Sequence, residues 1–240
     1  MSQLFISDLH LNDSCPHITR AFFHFLHTRA IHAEALYILG DFFDVWVGDD
    51  DDAALAQEVA DELNQLNKQG VAIYFMHGNR DFLLGKNYAQ KAGMKLINEG
   101  VIIDLYGTPT LLLHGDNLCT GDAQYQQFRA MVRNVAWQQE FLSQSLATRR
   151  AIAAQLRETS RSMNSMKKED IMDVAQDEVI AQMQQAGVTR LIHGHTHRPA
   201  RHTLQINDQY CERIVLGDWH DHGWCLNAAP GGLTLENWAI

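Results

Sequence analysis

Five strand-length apolar runs in this chain each stop at a cluster of histidine, aspartate, asparagine or glycine. QLFI runs into Ser7-Asp8, ALYIL into Gly40-Asp41, VAIYFM into His77-Gly78-Asn79, TLLL into His114-Gly115-Asp116, and RLI into His193. Their length and their content of branched and aromatic residues are those of strands. Helical patterns lie between them: His17 to about Ala33, Ala53 to Lys68 behind aspartates able to cap, and Asn87 to Ala92 closed by Gly93. Strand and helix in alternation predict an α/β sheet with helices outside, whose polar loops at the strand carboxyl ends gather a site. Beyond His197 the runs shorten, with turn signals at Asn207-Asp208 and Gly231-Gly232. That predicts an antiparallel finish packed against the first sheet.

The fifth run opens LIHGHTHRPA, residues 191–200, with histidines at 193, 195 and 197. In an extended segment positions i, i+2 and i+4 share a face, so the three imidazoles can converge. Convergence is costly for cations and sensible for neutral metal ligands. A polar loop with histidines bonded to backbone is the alternative, and it weakens only when matching ligands appear elsewhere in the chain.

The bulk properties narrow the class. At 240 residues the chain makes one large domain, or one domain with an insertion, and its 46% apolar and 20% charged content is ordinary for a globular protein. A net charge of −10 argues against nucleic acid as a partner. Cys15, Cys119, Cys211 and Cys225 form no CxxC pair, which argues against a zinc knuckle and leaves reduced thiols as the expectation. The first residues run at once into Leu4-Phe5-Ile6 without the look of a signal peptide, and no apolar run approaches the roughly 18 residues of a membrane span. A cytoplasmic protein is expected.

The stretch from about 124 to 168 breaks the rhythm. It is helical, with Phe128, Val132 and Val135, then Phe141, Leu142 and Leu146, then Ile152 and Leu156 as an apolar stripe. From Arg129 to Lys168 eight basic residues stand against Glu140 and Glu158, a net +6 that leaves −16 for the remainder. Either this is a solvated hairpin with a core-facing stripe, or a lid that meets an anionic, partly apolar ligand or an acidic bilayer surface.

The residues just past the strand ends form a set: Asp8-Leu9-His10, Gly40-Asp41, Gly78-Asn79-Arg80-Asp81, His114 and Gly194-His195-Thr196-His197. Five such pieces in this order resemble the ligand pattern of the calcineurin-like metallophosphoesterases, from residue 4 to about 218. The resemblance implies a four-layer αββα sandwich of two mixed sheets, a single domain over 1–240 with a helical lid at about 124–168. It implies that Asp41 bridges two metal ions, with Asp8, His10 and His197 completing the first and Asn79, His114 and His195 the second. His193 falls off the metals. A donor set without thiolate suits two Mn²⁺, with Fe²⁺, Co²⁺ or Zn²⁺ as alternatives. Glycines at 40, 78, 115 and 194 let the backbone turn beside each ligand. Paired divalent cations acidify water and clamp phosphoryl oxygens during in-line attack, so the reaction class is hydrolysis of a phosphate ester or anhydride. A non-catalytic scaffold that has lost its metals is the competing class, and here all seven ligand positions are filled.

Many members carry histidine after Gly-Asn, where it protonates the leaving group; this chain has Arg80. Arginine keeps its proton near neutral pH but forms paired bonds to a phosphoryl group. That favours a leaving group already good, such as a phosphate monoester. ISDLHL, YILGDFFDVWVGDD, HGNRDFLLGK, HGDNLCTGD, IMDV and LIHGHTHRPA together resemble the branch that hydrolyses UDP-2,3-diacylglucosamine in lipid A synthesis. That likeness implies attack at the α-phosphate, giving UMP and 2,3-diacylglucosamine 1-phosphate. It implies catalytic roles for Arg80, Asn79 and His195, and substrate contacts from Asn79, Arg80, Asp122, Ser160, Asn164, Lys167 and His195. Gly121 stands where that branch leads one to expect aspartate, and Asn117 fills a variable position of the same loop.

The lid stripe would then cover acyl chains, each methylene contributing roughly 0.8 kcal/mol. Trp46 and Phe82 join the pocket or the core. Arg149-Arg150 either touch anionic lipid at the cytoplasmic face of the inner membrane, where the protein would sit peripherally, or are a solvated pair. Asp49–Asp52 read as loop and cap; His24, His27 and His32 as surface or core residues; Asp81, His220 and His222 are unassigned. No obligate protein partner is evident. Another phosphodiesterase or protein phosphatase of the same superfamily is the remaining alternative, and it predicts turnover of small soluble esters.

Overall fold

The structure is a computed structural model and describes residues 2–164 and 173–240. In chain order β1 (Gln3–Ile6), α1 (Pro16–Thr28), β2 (Ala35–Leu39), α2 (Ala54–Lys68), β3 (Ala72–Met76), α3 (Lys86–Lys91) and β4 (Met94–Leu96) form successive β-α-β crossovers. Then come β5 (Val101–Leu105), β6 (Thr108–Leu112), α4 (Ala123–Val132), α5 (Val135–Ser143), α6 (Leu146–Asn164) and α7 (Gln176–Ala186). The chain closes with β7 (Arg190–His193), β8 (Ala200–Ile206), β9 (Gln209–Val215), β10 (His222–Ala229) and β11 (Gly232–Ala239).

Two mixed sheets result. The first has the order β11-β10-β1-β2-β3-β4, the second β5-β6-β7-β9-β8. The antiparallel finish is therefore divided, because β8 and β9 complete the second sheet while β10 and β11 extend the first beyond β1. Asn207 and Asp208, both at positive φ, make the tight turn between β8 and β9.

Alternation along each strand splits its side chains between layers. Leu4 and Ile6, Leu36 and Ile38, and Ile73 and Phe75 pack under α1–α3, while Phe5, Leu39 and Met76 meet Leu112, Ile192 and Ile214 between the sheets. Leu111 and Leu191 face outward onto Val179 and Met183 of α7. The layers are thus helices, sheet, sheet and helix, as the resemblance implied. Helical spacing sets the covering faces: Ile18, Phe22, Phe25 and Leu26 of α1, and Ala56, Val59, Ala60, Leu63 and Leu66 of α2, are buried.

Two local expectations need correction. The aspartate run is a loop, but Asp49 accepts from the amides of Gly85 (2.7 Å) and Tyr88 (3.0 Å), so it caps α3, and only Asp51 turns back to the Ala53 amide at 3.2 Å. Among its described residues the stretch 124–168 forms three helices rather than the two of a hairpin. Of its predicted stripe, Val132 and Phe141 are buried and Ile152 packs on the core, whereas Val135 and Leu142 are exposed.

Candidate metal centre

Loops from both sheets meet at the carboxyl ends of β1, β2, β3, β6 and β7. The loop after β1 is stitched to that after β2 by the amides of Asp8 and His10, which donate to the carbonyls of Gly40 and Asp41 at 3.0 Å each. The second sheet joins through the His195 amide, 2.9 Å from Asp8 Oδ2. The sharp turning falls to the functional residues themselves: Asp8, His10, Asp41, His195 and His197 all have positive φ. Non-glycine residues adopt that region at a cost, so the surrounding bonds must hold them there. Gly40 turns at φ +87°, but Gly78 and Gly194 serve differently from expectation. A Cβ on Gly78 would lie 2.2 Å from Asp41 Oδ1, and one on Gly194 2.3 Å from Asp8 Oδ2. Both glycines are there for close approach.

Among the described residues two donor groups emerge: Asp8, His10 and His197 in one, and Asp41, His114 and His195 in the other, each with ligand atoms within 4.8 Å of one another. His10 Nε2 and His197 Nε2 are 3.3 Å apart, and His197 Nε2 lies 3.5 Å from Asp8 Oδ1. His114 Nε2 is 3.6 Å from Asp41 Oδ1 and 3.0 Å from Asn79 Oδ1. Donors bound to one transition-metal ion at about 2.1 Å are separated by roughly these distances. The orientation fits as well. His114 Nδ1 is 2.8 Å from the Leu39 carbonyl, which directs the Nε2 lone pair inward, and His197 Nδ1 faces Asp218 at 3.6 Å. Asp8 Oδ1 is buried without a hydrogen-bond partner. These residues fit a pair of cations.

Electrostatics point the same way. Burial pushes the Asp41 carboxyl up, with Asp8 and Asp81 adding repulsion. Burial opposes ionisation of Asp8 too, but His197, His114 and His10 hold it far below the usual carboxylate range. His114 rises to about 9 against its burial because Asp41, Asp8 and Asp116 surround it, while burial lowers His195 to about 4 and His10 to about 3. Carboxylates clustered this deeply call for a compensating cation.

Arg80 stands at the rim, its Nε 3.7 Å from Asp41 Oδ2 and its Nη1 3.3 Å from Asp44 Oδ1. Asp81 does not hold that side chain; its two oxygens take the amides of Gly78 (2.8 Å) and Phe42 (2.7 Å) and lock the loops after β2 and β3 together. His193 points away from the donors, with Nδ1 2.8 Å from the Gly194 carbonyl and Nε2 3.1 Å from Arg213 Nη1. A guanidinium only donates, so Nε2 accepts and Nδ1 carries the proton. His220 and His222 are exposed.

A cavity of about 450 Å³ runs from this centre under the insertion. Its polar end holds Asp41, Asn79, Arg80, Asp122, His195 and His197; its apolar end holds Phe82, Phe128, Trp137, Phe141 and Leu156. Trp46 does both jobs predicted for it, lining the cavity and packing 4.4 Å from Tyr88. Asp122 also caps α4 through the Tyr125 amide at 3.1 Å. Ser160, Asn164 and Lys167 lie outside the residues whose side chains are described.

Of the pair Arg149-Arg150, only Arg150 stays at the surface, and both have protein partners. Arg149 is buried, bonding the Val47 carbonyl at 2.6 Å and both oxygens of Asp50, and Arg150 takes Asp51 and Asp52. The basic insertion spends much of its charge on the acidic body: Arg157 binds Asp44, and Arg129 binds Asp116 and Glu99. Asp44, Tyr125, Arg157 and Asp218 went unrecognised in the sequence. Tyr125 lies against the His195 ring at 6.0 Å with its hydroxyl on Asp116 at 2.7 Å.

The sequence profile of the calcineurin-like phosphoesterases matches residues 1–199. The chain belongs to that family. Its members use a dinuclear metal centre, and this phosphoesterase carries the donor groups for one. A Cellvibrio japonicus protein named UDP-2,3-diacylglucosamine hydrolase is 62% identical over 240 residues, covering 100% of both chains. A Stenotrophomonas maltophilia protein of the same name is 51% identical over 246 residues, covering 100% of this chain and 99% of its own. An archaeal phosphodiesterase structure superposes over 100% of both chains with a TM-score of 0.50 at 14% identity, a likeness of fold. No helix among the described residues of this phosphoesterase is long and apolar enough to cross a membrane.

Proposed function

We propose that the protein hydrolyses the pyrophosphate of UDP-2,3-diacylglucosamine with two Mn²⁺, releasing UMP and 2,3-diacylglucosamine 1-phosphate in lipid A synthesis. The observation that carries this reading is the single cavity in which a metal-type donor cluster and Arg80 pass directly into an aromatic and aliphatic chamber. A soluble ester has no use for that chamber; an acylated sugar pyrophosphate needs both ends. The names of the full-length relatives agree.

In this reading Asp8, His10 and His197 would hold one ion, Asn79, His114 and His195 the other, and Asp41 would serve both. When bound, the cations supply Lewis acidity to the phosphoryl oxygens and lower the pKa of the attacking water. Asn79 and His195 orient the α-phosphate for in-line attack. Arg80 neutralises charge on the departing sugar phosphate, which needs no proton from an acid. Asp122, with Ser160, Asn164 and Lys167, contacts the polar head, while the insertion acts as a lid over the acyl chains. Exposed Met131, Val135 and Leu142 on the lid, in place of the arginine pair, offer an apolar contact with the inner-membrane surface on its cytoplasmic side.

Hydrolysis in ¹⁸O water followed by mass spectrometry tests the reading. Label in UMP, abolished by chelation, is expected. Label in the lipid phosphate would reverse the regiochemistry, and turnover of simple diesters without the lipid would remove the substrate.

A further inference from the structure

A second, smaller cavity of about 240 Å³ opens behind the loop carrying His195 and His197, and no step of the proposed hydrolysis makes use of it. Asp173, Thr196, Arg198, His202 and Arg213 line it. Thr196 also lines the large cavity, so the two meet at the residue between two proposed metal ligands.

Its chemistry is unlike that of the large chamber. Arg213 is only 7% exposed, and although Nη1 is engaged by His193, its Nε is buried without a hydrogen-bond partner. Thr196 Oγ1 is buried and unpartnered in the same way. Leaving such groups unmatched is costly, and a site that binds a polar ligand accounts for them. Asp173 takes Arg198 Nη1 at 2.6 Å, and the cavity therefore presents a carboxylate among guanidinium donors. A donor–acceptor–donor array is complementary to a ring edge reading acceptor–donor–acceptor. The O2, N3–H and O4 edge of uracil has that order; cytosine, with a lone pair at N3 and an amine at C4, does not.

We propose that this cavity is a uridine subsite, in which Asp173 accepts from uracil N3–H, Arg198 and Arg213 donate to the flanking carbonyls, and Thr196 marks the passage to the phosphates at the metal centre. The proposal rests on the reading of the substrate as a uridine diphosphate lipid. With the pyrophosphate at the donor cluster, a nucleoside can reach this cavity past Thr196, which lines both.

Calorimetric titration of the Mn²⁺-loaded protein with UMP and with CMP tests it. The phosphate is common to both, so its contact with the metal centre cancels in the comparison. UMP is expected to bind about tenfold or more tighter, the worth of one mismatched hydrogen-bond pair. Asp173→Ala and Arg213→Gln, the latter keeping a donor for His193, are expected to bring the two ligands within about twofold. For the UDP lipid, Asp173→Ala is expected to raise KM with little change in kcat, as loss of uniform binding does. Equal binding of UMP and CMP by the unaltered protein, no binding of UMP up to millimolar concentration, or a uracil preference that survives both substitutions overturns the subsite. A uracil preference lost in the variants, in a protein that does not hydrolyse the UDP lipid, keeps the uridine site and removes the lipid reading instead.

Discussion

Asp44 binds Arg157 of α6 through one carboxylate oxygen and stands 3.3 Å from Arg80 through the other. One side chain after β2 thus connects α6 to the arginine at the rim of the metal centre. Its own amide is fixed by the Leu11 carbonyl at 3.1 Å, so the connection starts from a rigid point.

Asp44→Asn should therefore reduce kcat/KM by about tenfold, the usual worth of a charge-assisted bond in a partly screened setting. Arg80→Ala, which removes the group expected to stabilise the leaving phosphate, should cost about a hundredfold or more. If Asp44 acts by holding Arg80, the double variant will be no worse than Arg80→Ala alone. Full additivity in steady-state kinetics would separate the two residues.

Arg149 makes a second clasp, between α6 and the loop after β2, and a structural one. It is buried against the Val47 carbonyl and Asp50, whereas the side chain of Arg150 is 46% exposed. Arg149→Ala should lower the melting temperature by about 2–4 °C, the effect of losing about 1 kcal/mol in a domain of this size. Arg150→Ala should leave it nearly unchanged, because exposed ion pairs contribute little. Vesicle binding should survive both. A large loss of vesicle binding with Arg149→Ala and no change in melting would restore the pair as a lipid contact.

How much was legible depended on the range of each interaction. The seven proposed ligand positions stood out because each lies within a few residues of its strand, so local pattern alone marks it. Asp44 and Arg157 are 113 residues apart, and Arg149 and Asp50 are 99 apart. A lone aspartate and a run of arginines carry no sign of such partners, which is why Arg149 looked free for lipid. The family resemblance implied two mixed sheets, but which strand joins which was not visible: ALYIL and TLLL read alike, and only tertiary pairing sends β2 to one sheet and β6 to the other. Asp218 hid in a segment whose histidines drew attention, since an aspartate behind a proposed ligand has no spacing rule.

His193 offers a pH test of the fold independent of chemistry. Its burial, with the Arg213 charge beside it, lowers its pKa from 6.5 to about 3, so the native state holds it neutral. Below pH 6.5 the unfolded chain takes a proton that the folded chain refuses. The stability contributed is fully present above 6.5 and declines as pH falls toward 3, by at most about 1.4 kcal/mol per unit. Replacing it with an uncharged residue, His193→Gln, should flatten the difference in urea-unfolding free energy between pH 7 and pH 5 relative to the native protein. Parallel pH profiles would mean that His193 titrates freely.

Metal dependence can be read from stability as well as from turnover. Asp8, His10, Asp41, His195 and His197 are held at positive φ, and Asp8 and Asp41 are buried among other acids. Those costs are offset when cations bind the folded state and not the unfolded one. Free Mn²⁺ at about a hundred times its dissociation constant adds about 2.7 kcal/mol, which corresponds to a rise of roughly 5–10 °C in melting temperature. Chelation should reverse the rise, and Asp41→Asn should remove most of it because the proposed bridge would lose its charge. Asp173→Ala, outside the donor groups, should keep the full rise. A melting curve indifferent to Mn²⁺ and to other divalent transition metals would sink the dinuclear assignment, whatever the relatives are named.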